Sequence, residues 1–284
     1  MVDALRTTHR LDDILSELQL ARSTYFYNRL RSMLPEKYAQ ARETIAEIFH
    51  GNYGCYGYRR VDGTLRRVGI RMSEKVVRRL MSEQGLLVRC RRRRRFTTYA
   101  GDPSPAVENL VARNFHAAAP NTKWLTDLTE VQIPAGKIYI SPIIDCFDGL
   151  VVSWTIGTRP DSQLVNTMLK QAIETLRPGE QPIIHSDRGA HYRWPEWISL
   201  THEAKLTRSM SKKACSPDNA ACEGFFGRLK TEFVYPRDWK DVQLDEFMRQ
   251  IDVYIRWYNE KRIKVSLGRR SPIEHRQVLG LLPT

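Results

Sequence analysis

The chain has 284 residues, an apolar fraction of 42% and a formal net charge of +13, which together indicate a folded protein and exclude bulk disorder. No run of about 18 apolar residues occurs, so no membrane-spanning helix is expected. The five cysteines are scattered without a Cys-x-x-Cys pair, and no apolar signal segment follows the first residues. This pattern favours reduced thiols in the cytoplasm over a secreted disulfide framework or a zinc knuckle.

The charge is segregated along the chain. Residues 1–100 contain 21 Lys and Arg against 10 Asp and Glu, whereas residues 101–284 contain 24 against 22. A uniformly solvated surface does not explain this difference. A basic front part joined to a nearly neutral remainder predicts a nucleic-acid-binding module attached to another domain.

Residues 1–34 predict an N-terminal helical segment with two short helices. The first would carry an apolar stripe formed by Leu11, Ile14, Leu15 and Leu18, and the second would begin near Arg22. Two interpretations stay open at this point. The segment is either a small helix-turn-helix or a helical hairpin that packs on a partner.

Residues 35–96 predict a helix-turn-helix-like DNA-binding domain with a basic tail. Its three helices are expected at residues 35–49, 58–69 and 73–85, with Ser73 as the N-cap of the third. Three helices with a tight turn between the last two form the helix-turn-helix layout, in which the last helix reads a DNA groove.

Two groups of cations in this domain are candidates for DNA contact. The outward face of the third helix would carry Lys75, Arg78 and Arg79. The tail carries Arg89, Arg91, Arg92, Arg93, Arg94 and Arg95. Arginine binds phosphate in bidentate fashion and releases counterions, so this tail favours duplex DNA over a localisation tag or a solvated linker. Residues 97–120 then predict a linker.

Residues 121–236 predict an α/β domain. Strands are expected over residues 124–133, 137–147, 150–157, 182–186 and 206–209, and helices over 161–176 and from residue 216 onward. Three antiparallel strands followed by alternating strands and helices predict a ribonuclease H-like core, a mixed five-stranded sheet with flanking helices. Residues 237–284 predict a C-terminal helical segment.

Three carboxylates stand out in this domain. Asp127 lies within the first expected strand, where burying a charge is costly, and Asp187 directly follows a buried strand, at the end where open α/β sheets place their sites. Glu223 lies on the helix that begins near residue 216. Three carboxylates brought together by the fold are suited to hold two divalent ions. Magnesium is expected there, with manganese as a substitute, because no Cys/His set favours zinc.

The spacing and the surrounding residues carry a family resemblance. Between Asp187 and Glu223 lie 35 residues, the spacing of integrase-type D, D, E sites. The matching sequence motifs are His185-Ser186-Asp187-Arg188-Gly189, Ser216-Pro217-Asp218-Asn219-Ala220-x-x-Glu223 and Tyr258-Asn259-x-x-Arg262. Together they resemble bacterial insertion-sequence transposases of the IS-three family, in particular the second-frame product called OrfB. The resemblance extends from residue 35 to Pro272, with Lys264 in place of a histidine that many relatives carry.

This resemblance implies a DDE transposase that cleaves the ends of an element and performs strand transfer through a copied circular intermediate. Asp127, Asp187 and Glu223 would be its catalytic metal ligands. Lys230, seven residues after Glu223 and therefore on the same helix face, would contact the DNA end. His185 and Asn219 would shape the site rather than ligate metal. The implied partners are double-stranded DNA of element ends and target, further copies of the chain on that DNA, and an upstream-frame protein or fusion segment.

Two other functions share part of this pattern. A ribonuclease H-like nuclease, such as a junction resolvase, would share the carboxylates but not the helix-turn-helix, the arginine tail or the 35-residue spacing. A transposase-derived regulator would bind DNA without cutting it. The intact carboxylates and Lys230 argue against the regulator. We therefore expect a bacterial cytoplasmic enzyme associated with the nucleoid.

Overall fold

A computed structural model describes residues 2–33, 37–88, 107–211 and 219–282. Within these ranges the α helices are α1 (Val2–Leu5), α2 (Leu11–Glu17), α3 (Arg22–Met33), α4 (Ala39–Gly51), α5 (Tyr58–Arg67), α6 (Glu74–Glu83), α7 (Ser162–Glu174), α8 (Pro195–Glu203), α9 (Ala220–Arg228), α10 (Leu244–Glu260) and α11 (Pro272–Val278). The strands are β1 (Lys123–Thr126), β2 (Thr129–Ile133), β3 (Gly136–Asp145), β4 (Val151–Gly157), β5 (Ile183–Ser186) and β6 (Thr207–Met210). A π-helical turn (Leu229–Val234) and two 3-10 helices (Ala190–Arg193 and Val265–Leu267) complete them.

The N-terminal segment forms the two expected helices, α2 and α3, after the short α1. Ile14 and Leu15 are buried, but Leu18 is 39% exposed because α2 ends at Glu17. Part of the predicted apolar stripe is therefore wrong.

The next three helices match the predicted helix-turn-helix layout. Ser73 accepts a hydrogen bond from the Val76 N–H at 3.4 Å and so caps α6 as expected. Gly69 and Gly85 have φ angles of +83° and +67°, which stop α5 and α6 in the left-handed conformation that glycine adopts without strain. The first helix begins at Ala39, while residues 34–36 lie outside the described part of the chain.

The six strands occupy five positions in one sheet, because β1 and β2 lie end to end along the same edge of β3. Thr126 pairs with Ile143 and Thr129 with Ile140, so a single antiparallel register continues across the gap and sets Asp127 opposite Pro142. Proline has no N–H to donate to a neighbouring strand. The single strand expected over residues 124–133 is therefore wrong in one respect: Asp127 follows a strand and does not lie inside one.

The remaining pairings give the mixed sheet of the predicted ribonuclease H-like class. β4 pairs antiparallel with the other edge of β3, while β5 and β6 continue parallel to β1. Neighbouring strand residues point to opposite faces, so Trp124 packs with α7 and α8, and Leu125 packs with α9 and α10. The fold class predicted from the order of elements is confirmed.

The apolar core around α9 and α10 continues into the helix-turn-helix region without a break. Buried residues of α4, α5 and α6, among them Ile45, Leu65 and Leu80, belong to the same cluster as Leu125 and Phe247. The three helices therefore pack directly on the rest of the molecule. Within the described ranges, no helix has the length and apolarity needed to cross a membrane.

Candidate active site

Two of the predicted site residues occupy equivalent positions on neighbouring strands. Leu125 of β1 pairs in parallel with His185 of β5, and the same register sets Asp127 opposite Asp187, each directly after the last residue of its strand. Adjacent strands are about 4.8 Å apart. The two carboxylates therefore lie side by side at the carboxyl edge of the parallel part of the sheet.

Local backbone groups hold both carboxylates. Asp127 Oδ1 accepts the N–H of Leu128 at 2.8 Å, and Asp187 Oδ1 accepts the N–H of Gly189 at 2.8 Å. A Cβ atom on Gly189 would lie only 2.9 Å from Asp187 Oδ1, so a larger residue here would push the carboxylate away from this position. Among the described residues, the second carboxylate oxygen of each aspartate accepts no hydrogen bond and is free for a ligand.

Glu223 is exposed on α9, near this pair but outside it. The buried Asn219, just before α9, donates from Nδ2 to the Thr126 carbonyl at 3.4 Å and so ties the start of the helix to the residue before Asp127. In the part of the chain that the structure describes, no three His, Cys, Asp or Glu side chains converge closely enough to hold a metal ion. The structure thus brings two of the three predicted ligands together and leaves the third at the rim.

The negative charges of Asp187 and Glu223 both act on Asp127. The pKa of Asp127 is raised to about 7, first by burial and then by the negative charge of Asp187, with a smaller contribution from Glu223. The Leu128 N–H and the positive charge of Lys230 act in the opposite direction. Carboxylate oxygens that repel one another are suited to a hard divalent cation, which removes the repulsion. The oxygen donors therefore suit a divalent cation.

Lys230 approaches the same edge of the sheet from the π-helical turn. Its Nζ donates to Thr129 Oγ1 at 2.8 Å, and Thr129 begins β2 two residues after Asp127. Burial lowers the pKa of the ammonium group, and the negative charges of Asp127 and Glu130 oppose this. The predicted single helix changes from α to π at Leu229, so the spacing of Glu223 and Lys230 spans two kinds of helical turn.

His185 and Tyr192 are buried residues on either side of Asp187 in the chain. His185 is fully buried, and its Nδ1 and Nε2 lie 2.8 and 3.1 Å from the hydroxyls of Ser209 and Ser211. Both ring nitrogens are engaged, which agrees with a shaping role. Tyr192 was missed at the level of sequence: its buried phenol has a pKa well above its usual value because of burial and the charges of Asp127 and Asp187. The only sign in the sequence that Tyr192 lies near the site is its position five residues after Asp187.

Family models match an HTH-like domain at residues 35–94 and integrase core domains at residues 117–216 and 223–279. A probable transposase for insertion sequence element IS1353 of Shigella flexneri is 68% identical, over 99% of this chain and 55% of that protein. The putative transposase InsK for element IS150 of Escherichia coli K12 is 37% identical, over 97% of this chain and 96% of that one. The chain belongs to the insertion-sequence transposases.

The resemblance read from the motifs is confirmed by these relatives. The chain spans about half the length of the Shigella relative and nearly the whole length of the Escherichia coli relative. Among solved structures, the intasome of simian T-cell lymphotropic virus in complex with the B56 gamma subunit of PP2A aligns over 78% of this chain and 70% of that chain, with 17% identity and a TM-score of 0.46.

The Tyr-Asn-x-x-Arg motif of this family member holds the catalytic framework together. Asn259 accepts the Val151 N–H at 2.9 Å and donates to the Val151 carbonyl at 2.8 Å, as a neighbouring strand would. Arg262 binds Glu232 of the π-helical turn through two hydrogen bonds, of 2.8 and 2.5 Å. The motif thus fixes the edge of β4 and the turn that carries Lys230.

Lys264, where many relatives carry histidine, binds the β3–β4 hairpin. Its Nζ donates to the carbonyls of Asp148 and Gly149 at 2.8 and 3.0 Å. Arg276 of α11 pairs with the buried carboxylates of Asp145 and Asp148 at 2.8 and 2.6 Å. The C-terminal segment therefore supports the hairpin whose first strand, β3, pairs with β1.

The predicted DNA-contact residues of α6 are exposed. The Arg78 guanidinium lies over the ring of Tyr58, and Arg79 lies over Tyr38 and 3.6 Å from Glu83. Lys75 is exposed as well. Arg89 and the run Arg91, Arg92, Arg93, Arg94 and Arg95 lie outside the described residues, so their role stays a prediction.

Proposed function

We propose that this chain cleaves the ends of an insertion element and joins them to target DNA, with Asp127, Asp187 and Glu223 as the metal-binding catalytic residues. The observation that carries the proposal is the paired position of Asp127 and Asp187 at the carboxyl ends of two parallel strands. The raised pKa of Asp127 supports the proposal, because the negative charges of Asp187 and Glu223 contribute to the shift. Membership of the insertion-sequence transposases supplies the class of substrate.

Magnesium ions, or manganese in their place, would be held by the free oxygens of Asp127 and Asp187, with Glu223 joining from α9. Two such ions activate the attacking oxygen and stabilise the leaving oxygen of a phosphodiester. The chain's own part is to fix the two aspartates through Leu128 and Gly189, so that little reorganisation is needed when the ions bind.

Cations at two places would hold the DNA. Lys230, beside β2, is positioned to meet the phosphate or base at the end of the bound element. Lys75, Arg78 and Arg79 on α6 would read its sequence, and the arginine run after α6 would bind backbone phosphates of element ends and target alike. Burial lowers the pKa of Lys230, so DNA phosphate would favour its charged form.

Insertion joins two element ends to one target, so at least two copies of the chain must act together on DNA. A dimerising partner from an upstream reading frame, either separate or fused, would supply contacts for this assembly. This chain spans about half of the Shigella relative, and the rest of that protein is long enough to include such a segment.

The proposal is tested by three substitutions that keep side-chain size, Asp127→Asn, Asp187→Asn and Glu223→Gln. Each should abolish cleavage and strand transfer in magnesium while binding to element-end DNA stays nearly unchanged. Asp241→Asn is the matched control, because Asp241 is an exposed acid that is not one of the three proposed ligands. Substantial cleavage by any of the three variants would remove that residue from the site.

The same assay separates the competing functions. A chain that cuts DNA but never transfers a strand would be a nuclease of the ribonuclease H-like class. A chain that binds element ends and cuts nothing in magnesium or manganese, alone or with its upstream partner, would be a regulator.

A further inference from the structure

The helix-turn-helix region is joined to the C-terminal segment by aromatic residues of the α4–α5 loop. The ring of Tyr53 lies 4.7 Å from that of Trp257 and 5.5 Å from that of Tyr254, centroid to centroid. Tyr56 is 1% exposed, and its hydroxyl donates to the Lys261 carbonyl at 3.1 Å and accepts the Ile263 N–H at 3.0 Å. These contacts join residues that are about 200 positions apart in the chain.

A group of five charged residues fastens α5 and α6 to the same segment; we call it the clamp. Its members are Asp62, Arg67, Glu74, Arg269 and Glu274. Arg269 binds Asp62 at 3.0 Å and Glu74 at 2.8 Å, and Arg67 binds Glu274 at 2.9 Å. Asp62 is 1% exposed, so loss of Arg269 would leave a buried carboxylate with Arg66 as its remaining ion-pair partner among the described residues.

The shape of α5 is adapted to Arg269. A Cβ atom on Gly63 would stand 2.9 Å from Arg269 Cδ, so the arginine stem lies directly on the helix backbone. Arg269 itself has a φ angle of +61°, a conformation that costs free energy in a residue other than glycine and persists where neighbouring contacts hold it.

A continuous line of contacts connects α6 to the active site. Glu74 is the first residue of α6, the helix expected to read DNA, and the N-terminal residues of such a helix contact base edges. Glu74 pairs with Arg269, the Arg269 carbonyl accepts a hydrogen bond from Arg67, and Arg67 pairs with Glu274 of α11. Arg276, also of α11, pairs with Asp145 at the end of β3. β3 pairs with β1, which ends immediately before Asp127.

We propose that the clamp is a positioning device that selects the phosphodiester to be cut. Because it fixes α6 relative to Asp127 and Asp187, the base pairs read by α6 lie at a constant distance from the catalytic carboxylates. The cut position is then set by the protein's own dimensions and not by the sequence at the cleaved bond. This inference rests on the proposed function and adds to it the basis of cleavage precision.

The test maps cleavage on end-labelled element DNA with the full chain carrying Arg67→Ala and Arg269→Ala together. We expect binding to the element end to persist, cleavage to spread to neighbouring phosphates, and cutting at the main position to fall about ten- to a hundredfold, since displacements near 1 Å have such effects. Arg249→Ala is the matched control: it removes the same charge from an exposed arginine of α10 that pairs with Glu246 and with no clamp residue among the described ones. It should cut at the wild-type position.

A melting curve of each variant shows whether it is folded, and the single variant Arg67→Ala, which removes only the exposed half of the clamp, is the fallback if the double variant unfolds. Sharp cleavage at the wild-type phosphate by a folded variant that lacks the clamp contacts would overturn the proposal. Absence of cleavage by the wild type would instead contradict the proposed function, so the two failures are distinguishable.

A cross-link gives a second readout. Arg67 and Val278 line one surface cleft of about 420 Å³ between α5 and α11, so Arg67→Cys with Val278→Cys can be joined by a short bis-maleimide. The cross-linked chain should cut at the wild-type position, with wild type treated with the same reagent as the control for its own cysteines. If linking abolished cleavage while the unlinked double variant cut normally, α5, with α6 packed against it, would have to move away from α11 during the reaction, and the proposal would be wrong.

Discussion

Gly189 lies directly against the carboxylate of Asp187, and a methyl group at this α-carbon would stand 2.9 Å from Oδ1. Gly189 has a φ angle of −54°, which alanine also adopts without strain, so alanine at this position would conflict with the carboxylate in space and not through the backbone. The small size of Gly189 therefore lets its backbone N–H approach and hold the Asp187 carboxylate.

From this contact we expect Gly189→Ala to displace the Asp187 carboxylate and reduce cleavage on the order of a hundredfold, with little change in melting temperature. Gly224→Ala is the control, because Gly224 lies on α9 next to Glu223 and a Cβ there meets no atom within 4 Å. Equal activity of both variants would show that the close approach has no catalytic importance.

The raised pKa of Asp127 predicts a pH-dependent stability of the metal-free chain. The folded pKa of about 7 exceeds the usual 3.8, so the stabilisation from protonation is fully present below about pH 4 and is lost as the pH rises to 7. Asp127→Asn should therefore raise the melting temperature at pH 8 much more than at pH 4. An equal gain at both pH values would contradict the electrostatic origin.

The same shift predicts that protons compete with the metal. We expect magnesium affinity, measured by titration calorimetry, to fall by up to about tenfold for each pH unit below 7. Addition of magnesium at pH 8 should raise the melting temperature of the wild type and have little effect on Asp127→Asn. A metal affinity that is constant between pH 6 and 8 would argue against a protonated Asp127.

Lys230 should matter for strand transfer more than for metal binding. With Nζ 2.8 Å from Thr129 Oγ1, it is held beside a residue two positions after Asp127, and it is not one of the proposed metal ligands. Lys230→Ala is expected to keep metal and general DNA affinity and to lose most transfer of a pre-nicked end into a plasmid. Lys230→Arg should retain some transfer if the contact is a phosphate and little if it is a base edge.

Lys240→Ala provides the comparison, since Lys240 is an exposed lysine on the following loop. Light scattering of the active complexes tests the assembly in parallel. Full transfer by Lys230→Ala, or an active complex with a single copy of the chain, would contradict the proposed arrangement.

The buried pair of Arg262 and Glu232 should dominate the stability of the π-helical turn. Burial raises the pKa of Glu232, but hydrogen bonding and charge from Arg262 outweigh this and lower it below the usual 4.5, so the contribution to stability is lost as the pH falls below that range. Arg262→Ala should lower the free energy of unfolding by about 3–5 kcal/mol, because Glu232 remains as a buried charge. The double change Arg262→Met and Glu232→Leu should cost less than the single one in denaturant unfolding.

The two sets of basic residues should differ in salt dependence. Replacing Arg91–Arg95 with alanines is expected to weaken binding to every duplex and to flatten the slope of affinity against salt. Changing Lys75, Arg78 or Arg79 should instead reduce the preference for element ends. Equal losses on specific and random DNA for both sets would contradict this division.

Local signals made much of the framework predictable from sequence. Ser73, Gly69 and Gly85 marked the ends of helices through capping chemistry, and the buried strand before Asp187 placed that carboxylate at a sheet edge. These features depend on residues close together in the chain. A periodic pattern can therefore report them.

Long-range contacts were not predictable in this way. The gap at Asp127 lies opposite Pro142 on another strand, and Glu232 has the pattern of an ordinary exposed helix residue until Arg262 is seen against it. The partnership of Asp62 and Arg269 joins positions more than 200 residues apart. The periodicity of apolar residues along a helix or strand does not show which distant side chain forms an ion pair with a buried charge.

The apolar core shared by the helix-turn-helix region and α10 has a practical meaning for redesign. Tyr53 and Tyr56 are anchored in a surface that belongs to the C-terminal segment, so the DNA-reading module is not an exchangeable cassette. Replacing the helix-turn-helix region with a foreign module would expose the apolar residues of α10 that now pack against Tyr53 and Tyr56. Retargeting is better attempted by changing the solvent-facing side chains of α6 one at a time, while the inner face that evolution has fitted to this scaffold is kept.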